Sequence, residues 1–367
     1  MLSKDRLDKI LDFYGIKENF VGGEDFGSGH INDTILLRYD INGEEKRLVL
    51  QKINKYVFHH PDELMMNTIA ITDHIRKKLI ACGGDPEREV VNVVYAPNGD
   101  SFFIDEDGEY WRITKYIENA ASYDMVRSPR DFYESGRAYG NFQSQLSDFP
   151  AETLYYTIPE FHDTRARFGY FKKVLAEDAL GRAASCRPEI DFILGREDLA
   201  VYTMESFDRG EIPIRVTHND TKLNNLMIDN DTGRAVCVID LDTVMPGFAI
   251  TDFGDAVRFG TCTAAEDEPD IGKVRCDLVL YEEFTRGCIE GCADKLTQHE
   301  IDALPMGAVA VTYELAMRFL TDYLIGDKYF KTDYPEHNLV RTRTQIKMVH
   351  EFEANSAAIN AIIEKYR

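Results

Sequence analysis

The chain of 367 residues carries 64 acidic and 42 basic side chains, a formal net charge of −22, with 44% hydrophobic and 29% charged residues. That balance describes an ordinary globular protein of two domains or lobes. It argues against nucleic acid or an anionic membrane surface as partner, since both require a basic face, and an anionic ligand would have to be drawn in by a local cation or by backbone N–H groups.

In chain order, Phe20 to Phe26 leads into a glycine-containing turn. Thr34 to Tyr39 (TILLRY) alternates as a strand into Asn42-Gly43, a hairpin signal, and Arg47 to Ile53 (RLVLQKI) answers it. Pro61 to Leu79 predicts a helix, entered through Pro61-Asp62-Glu63 with acids in its first turn. Strands follow at Val90 to Tyr95 and Ser101 to Ile104, and at Tyr110 to Ile117 after the Asp107-Gly108 turn. Residues 1–118 thus read as a small, mostly β lobe of five strands and one helix, and residues 119–367 as a larger, mostly helical lobe. The acidic run Glu266-Asp267-Glu268-Pro269-Asp270 reads as a solvated loop. Seven cysteines, odd in number and without a C-x-x-C pair, read as free thiols in a reducing compartment. With no targeting signal and no long apolar run recognised, the expected location is the cytoplasm.

The first turn of the small lobe, Phe26-Gly27-Ser28-Gly29-His30-Ile31-Asn32, places glycines between two strands. There backbone N–H groups can approach phosphate oxygens closely, although Gly-x-Gly in a hairpin is often only a turn. His30 and Asn32 either face a second substrate or cap the turn.

The stretch from Val216 to Asp242 (VTHNDTKLNNLMIDNDTGRAVCVIDLD) is the most informative. His218, Asp220 and Asn225 give H-x-D-x-x-x-x-N, and Asp240 ends an apolar strand 20 residues after Asp220. In kinase-like phosphoryl transfer from ATP, one Asp takes the proton of the attacking hydroxyl, while an Asn five residues on and a second Asp hold Mg²⁺ against the phosphates. Leu226 to Ile228 and Ala235 to Ile239 predict two strands joined by DNDTG, a hairpin that returns Asp240 to the end where Asn225 lies. Asp242 is a further metal-ligand or supporting candidate. The tripeptide Asp252-Phe253-Gly254 spells the protein-kinase metal motif but lies off this hairpin; Asp252 is assigned to bracing the loop, with Asp255 and Arg258 on a helix beginning there.

A protein kinase places Lys at the end of the third strand, paired with a Glu from the next helix. Here the position reads Gln51, and Lys52 faces the other way by strand alternation. Phosphate charge would then fall to Mg²⁺, loop N–H groups and Gln51. Glu314, Arg318 and Asp322 recur at i, i+4 and i+8, which is either a salt-bridge ladder or a ligand-facing arginine.

H-x-D-x-x-x-x-N, then I-D-x-D, then M-P-G and D-F-G-D resemble the aminoglycoside phosphotransferase/choline kinase group. Within it the chain is similar to kinases acting on the anomeric hydroxyl of N-acetylhexosamines, through GHIN (29–32), FHDT (161–164), PEIDF (188–192), THNDTKLNN (217–225), IDLDT (239–243), RFG (258–260) and YPEHNLVRTRTQIK (334–347). The resemblance implies an α+β, protein-kinase-like two-lobed fold and an ATP- and Mg²⁺-dependent sugar kinase with no nucleic-acid or membrane partner. It implies Asp220 as base, Asn225 and Asp240 as Mg²⁺ ligands with Asp242 beside them, and Gly27, Ser28, Gly29, Gln51, Tyr116, Ile117 and Glu118 around the nucleotide. His30, Asn32, Asp220, Arg318 and Tyr329 fall to the acceptor. Two alternatives stay open: a kinase of the same group acting on an amino alcohol, thio-sugar or aminoglycoside, and a non-catalytic pseudokinase sensor.

Overall fold

The computed structural model describes residues 2–27 and 32–367. The chain divides between two units: Met1–Asp124 with Glu152–Ile158 and Leu226–Met245 in one, and Met125–Ala151 with Pro159–Asn225 and Pro246–Arg367 in the other. The first is built on a small antiparallel sheet and the second is mainly helical, so the architecture is α+β, as the sequence predicts.

In the first unit, Ser3 caps helix α1 (Lys4–Tyr14) by accepting the Arg6 N–H at 3.3 Å, and Gly15 ends it at φ 64°. The sequence pattern marks no element there. The helix forms because Ile10, Leu11 and Tyr14 share one face, which packs on Leu37, Tyr39, Leu50, Trp111 and Ile113 of the sheet. Strands β1 (Phe20–Asp25), β2 (Asp33–Ile41), β3 (Glu44–Ile53), β4 (Phe103–Ile104) and β5 (Tyr110–Lys115) lie in the order β1-β2-β3-β5-β4. Asn42 (φ 58°) and Gly43 (φ 83°) supply the left-handed pair that a tight β2–β3 turn requires. The β3–β5 register sets Gln51 directly across from Arg112. Helix α2 (Pro61–Cys82) begins at the expected proline and ends at Gly83.

The strand expected over 90–95 is reduced to a single bridge, Val93 with Thr114. Asn92 donates its side-chain amide to the carbonyls of Pro86 (3.0 Å) and Val90 (2.8 Å), and such local bonds compete with a regular ladder. The hairpin Leu226–Asp229/Ala235–Val238 forms as predicted, with Leu226 opposite Val238, and Ala120–Ala121 adds a third strand to it. It groups with the sheet unit, whereas the sequence reading places it in the helical lobe.

The second unit holds α3 (Pro129–Gln145), α4 (Thr164–Glu177), α5 (Arg187–Leu194), α6 (Glu197–Asp208), α7 (Ala249–Gly260), α8 (Leu278–Cys292), α9 (Gln298–Ile325), α10 (His337–Ala354) and α11 (Ser356–Tyr366). Helices α3 and α8 meet backbone to backbone: a Cβ at Gly136 would collide with the carbonyl oxygen of Phe284, and one at Gly287 with that of Tyr133. The capping box of Thr297 and Glu300 opens α9, which packs against α4, α6, α7, α10 and α11. By length and composition α9 could cross a membrane, with a mean hydropathy of 1.2, yet 72% of that window is buried inside the protein. It is the long apolar run that the sequence reading does not recognise. Its apolar load is internal, with Tyr313, Ala316, Met317 and Leu320 fully buried.

The acidic run after residue 265 is a partly solvated loop, with Pro269 and Asp270 exposed and two of its acids paired to helices. Glu266 pairs with Arg258 of α7 at 3.0 Å, and Asp267 meets His337 of α10 at 3.1 Å. All seven cysteines are free thiols.

Candidate active site

In the helical unit, the loop from Thr217 to Asn225 is held by acids of α7. Asp252 accepts the N–H groups of His218 (2.8 Å) and Asn219 (2.7 Å) and the side-chain amide of Gln143 (2.9 Å). Burial pushes the Asp252 carboxyl up, against the pull of those donors and of His218. Asp255 accepts the Thr221 N–H at 3.1 Å and is itself paired with Arg258 at 2.9 Å. Asp252 therefore braces the loop, as the spacing predicts, and lies in the first turn of a helix. Asn219, left-handed at φ 63°, turns the chain just before Asp220.

Both carboxylate oxygens of Asp220 are engaged. Lys222 Nζ stands 2.8 Å from Oδ1, while Nδ2 of Asn225 donates to Oδ2 at 2.9 Å and to the Asp220 carbonyl at 2.8 Å. Desolvation alone would raise the Asp220 carboxyl; Lys222, His218 and the Asn225 amide outweigh it and hold the group below the usual carboxylate range. The Lys222 ammonium is correspondingly raised, chiefly by Asp220. Sequence reading passes over Lys222, and its only signal there is a cation two residues after the candidate base.

Also in the helical unit, Arg318 lies with its guanidinium carbon 4.9 Å from the ring centre of Phe161, 5.7 Å from Tyr329 and 5.6 Å from Phe330. The Glu314–Arg318 pair of the expected ladder exists at 3.6 Å. Asp322 instead accepts the N–H groups of Lys328 (2.9 Å), Tyr329 (2.8 Å) and Phe330 (2.9 Å), and so fixes the Tyr329 backbone. Buried Glu314 also takes His162 Nδ1 at 3.0 Å and Thr164 Oγ1 at 2.7 Å. His162 Nε2 lies 3.3 Å from the carbonyl oxygen of Asn219. Against desolvation, His162, Arg318 and Arg167 lower the Glu314 carboxyl to about 2. Burial and the neighbouring Arg318 lower Arg167 to about 10.

In the sheet unit, Asp240 is left-handed (φ 57°, ψ 61°) and opens the turn Leu241–Thr243. Asp242, 2% exposed, is enclosed. One oxygen is ion-paired with Arg112 Nη1, the other accepts Asn32 Nδ2 at 2.6 Å, and its carbonyl accepts Thr157 Oγ1 at 2.9 Å. Each oxygen thus has one partner, and Asp242 serves as the counter-ion of Arg112. Asn32, expected at the acceptor, is half-buried, and its side chain is held between Asp242 and the Asn54 N–H, which its Oδ1 accepts at 3.0 Å.

Gln51 Oε1 accepts Arg112 Nε (3.0 Å) and Nη2 (2.9 Å), and its Nε2 donates to Thr34 at 3.3 Å, so its amide is occupied at both ends. Lys52 does face the other way, paired with Asp33 at 2.5 Å. The buried cation of this sheet is Arg112, which no spacing in the sequence singles out.

Tyr116 lies under the Arg47 guanidinium at 4.1 Å, and Glu118 forms an ion pair with Arg47, so the expected adenine-side segment is pinned to β3. Ile117 joins an apolar cluster with Ala120, Met227 and Cys237. Gly27 is left-handed at φ 84°. Ser28, Gly29 and His30 lie outside the described residues.

Among the described residues no cluster of three or more His, Cys, Asp or Glu side chains could hold a metal. The expected donors, an Asn amide oxygen and one carboxylate, suit a hard ion that keeps water and phosphate oxygens in its shell, which is the habit of Mg²⁺. Asn225 turns its nitrogen to Asp220, leaving the amide oxygen as its other end. The donor chemistry fits.

The sequence model of the phosphotransferase enzyme family matches residues 22–287. The chain is similar to the solved structure of a microcompartment-associated aminopropanol kinase, at 17% identity over 98% of this chain and 99% of that one, with a TM-score of 0.62. A spectinomycin phosphotransferase solved with ADP and spectinomycin aligns at 11% identity over 96% and 99%, with a TM-score of 0.58. Choline kinase from Cryptosporidium parvum Iowa II aligns at 14% identity over 97% and 98%, with a TM-score of 0.54. Likeness at such identities establishes the fold, which is protein-kinase-like.

Proposed function

We propose that this chain, which belongs to the phosphotransferase enzyme family, transfers the terminal phosphoryl group of ATP to the anomeric hydroxyl of an N-acetylhexosamine such as GlcNAc or GalNAc. The observation that carries the acceptor reading is the Arg318 guanidinium among Phe161, Tyr329 and Phe330, with Arg167 beside Glu314. Ionised Glu314 offsets only one of the two guanidiniums, and the remaining positive charge disfavours a cationic acceptor, while a rigid fork of donors suits sugar hydroxyls or an amide carbonyl. The names of the solved neighbours point to amine-bearing acceptors for those proteins; the arginines of this chain favour a neutral one. The Asn225, Asp240 and Asp220 set likewise favours a kinase over a nucleotide sensor.

In the reaction, Asp220 accepts the hydrogen bond of the anomeric hydroxyl and orients its oxygen toward the γ-phosphorus. The new O–P bond forms as the bond to ADP breaks, and the proton passes to Asp220. A carboxylate held ionised by Lys222 is a weak base toward a sugar hydroxyl, so its contribution is mostly positioning, worth about 10²–10⁴-fold. Asn225 and Asp240 would hold Mg²⁺, which supplies charge neutralisation on the nucleotide phosphates. Gly27 to Gly29 and Tyr116 to Glu118 are assigned to the nucleotide, and Arg318 and Tyr329, with His30, to the sugar.

The test is ³¹P NMR of the protein with Mg²⁺, ATP and GlcNAc or GalNAc, run beside an acceptor panel of choline, an amino alcohol, a thio-sugar and an aminoglycoside. A sugar 1-phosphate resonance that is lost in Asp220→Asn is expected. A phosphorylated amine acceptor with no sugar product would overturn the acceptor reading, and nucleotide binding with no ADP formed would establish a sensor.

A further inference from the structure

Arg112 is only 4% exposed, and among the described residues its guanidinium is met by Gln51 and Asp242 of the sheet unit. The fork of its guanidinium reaches Gln51 Oε1 with two nitrogens, at 3.0 and 2.9 Å, and Asp242 with the third. Gln51 stands where a strand lysine would be sought, and Arg112 is its partner in the β3–β5 register. The buried cation stands one strand over from that position, with Gln51 as its acceptor.

What the cation grips is the turn that begins at Asp240. Asp242 is clamped by Arg112 and Asn32, its carbonyl by Thr157 at 2.9 Å, and the carbonyl of Val244 by Asn67 at 3.1 Å. The turn therefore leaves left-handed Asp240 little freedom to relax toward ordinary backbone angles. A buried ion pair adds little net stability over apolar residues of equal volume, so orientation is what such a pair chiefly contributes.

We propose that Arg112 is a positioning residue for phosphoryl transfer: through Asp242 it holds the 240–243 turn so that the Asp240 carboxylate is set for the metal–nucleotide complex. This rests on the kinase reading above. Lysine cannot substitute fully, because a point charge reaches Asp242 or Gln51 but does not present the planar fork that holds both.

The experiment is calorimetric titration of ATP into the full chain at a series of Mg²⁺ concentrations, which needs no acceptor, paired with kcat and acceptor KM. Arg112→Met leaves Asp242 buried and unpaired, so the informative variant is Arg112→Met with Asp242→Leu, which removes both charges together. Its half-saturating Mg²⁺ for ATP binding is expected to rise about 10–100-fold, the usual effect of losing a partner of a metal ligand. kcat should fall while acceptor KM stays within about twofold, an interaction made with the reacting groups rather than with the acceptor. Arg112→Lys, which preserves charge and fold, should show an intermediate shift.

A double variant that melts like the parent and shows the parent's Mg²⁺ dependence would overturn the proposal, reducing the pair to scaffolding. An unshifted Arg112→Lys would do the same if the double variant does not fold. Parent protein that binds no ATP in Mg²⁺ would overturn the kinase reading itself, and this proposal with it.

Discussion

Nζ of Lys222 stands 2.8 Å from Oδ1 of Asp220, on the opposite side of the carboxylate from the Asn225 amide. Asp220→Asn should lower turnover by about 10²–10⁴-fold with ATP binding largely kept. Lys222→Met should let the Asp220 carboxyl rise, since Lys222 is the largest influence holding it down against desolvation. The acid limb of the kcat–pH profile would then move to higher pH, because protonation disables the base sooner. A pH profile that keeps its acid limb in place would show that Asp220 is not the titrating group.

Asp252 has a separate, structural signature. Asp252→Asn turns one acceptor oxygen into a donor facing the N–H of His218 or Asn219. Leaving a buried donor unsatisfied costs about 1–3 kcal/mol. Urea unfolding should show a lower midpoint at an unchanged slope, whereas an unmoved midpoint would remove the brace.

Glu314 links stability to acid. Its carboxyl is held at about 2 against an ordinary 4.5. A lowered carboxyl contributes stability that is complete above the ordinary value and lost as pH falls through the folded one. The difference corresponds to about 3 kcal/mol. Glu314→Gln should therefore destabilise the protein at neutral pH and flatten the decline of stability from about pH 4.5 toward 2. Urea midpoints across that range, compared with the parent, make the measurement.

Two glycines in helices of the same unit should respond oppositely to alanine. At Gly136 the new methyl meets the Phe284 backbone, and overpacking of this kind costs about 1–3 kcal/mol. At Gly169 in α4 an added Cβ meets nothing within 4 Å. Alanine there should raise stability by up to about 1 kcal/mol through helix propensity alone. Thermal melts of the pair separate packing from propensity, and equal shifts would contradict the α3–α8 contact.

Spacing along the chain announced what local chemistry controls. The 226–238 hairpin, the α2 start at Pro61 and the β2–β3 turn all depend on residues close in sequence or on strong turn signals, whereas the bracing role of Asp252, which lies 34 residues from His218, was read only from its place off the hairpin. Arg112 was not legible because its meaning depends on register: only the pairing of β3 with β5 brings it to Gln51, and only the fold brings Asp242 to both. The contacts of Asp242 with Asn32 and Arg112 were hidden for the same reason, since spacing does not show that residues 32, 112 and 242 meet. Helix α1 escaped because its apolar face is short; α9 was legible as a helix from the i, i+4, i+8 spacing of Glu314, Arg318 and Asp322, but those charges hide how much of it is core.

Asn219 (φ 63°) and Asp240 (φ 57°) hold left-handed backbones beside and at the proposed chemistry. Glycine is the residue that adopts such angles without steric cost, so Asp240→Gly trades relief of the left-handed backbone against the side-chain contacts of Asp240, and stability should move by no more than about 1 kcal/mol while the carboxylate is removed. A population of this chain selected for heat resistance alone would have no reason to keep a carboxylate at residue 240 and could fall silent in the proposed reaction, still folded. Durability and turnover are in this way opposed at single backbone angles, and a screen that scored melting temperature without product would discard the enzyme while keeping the protein.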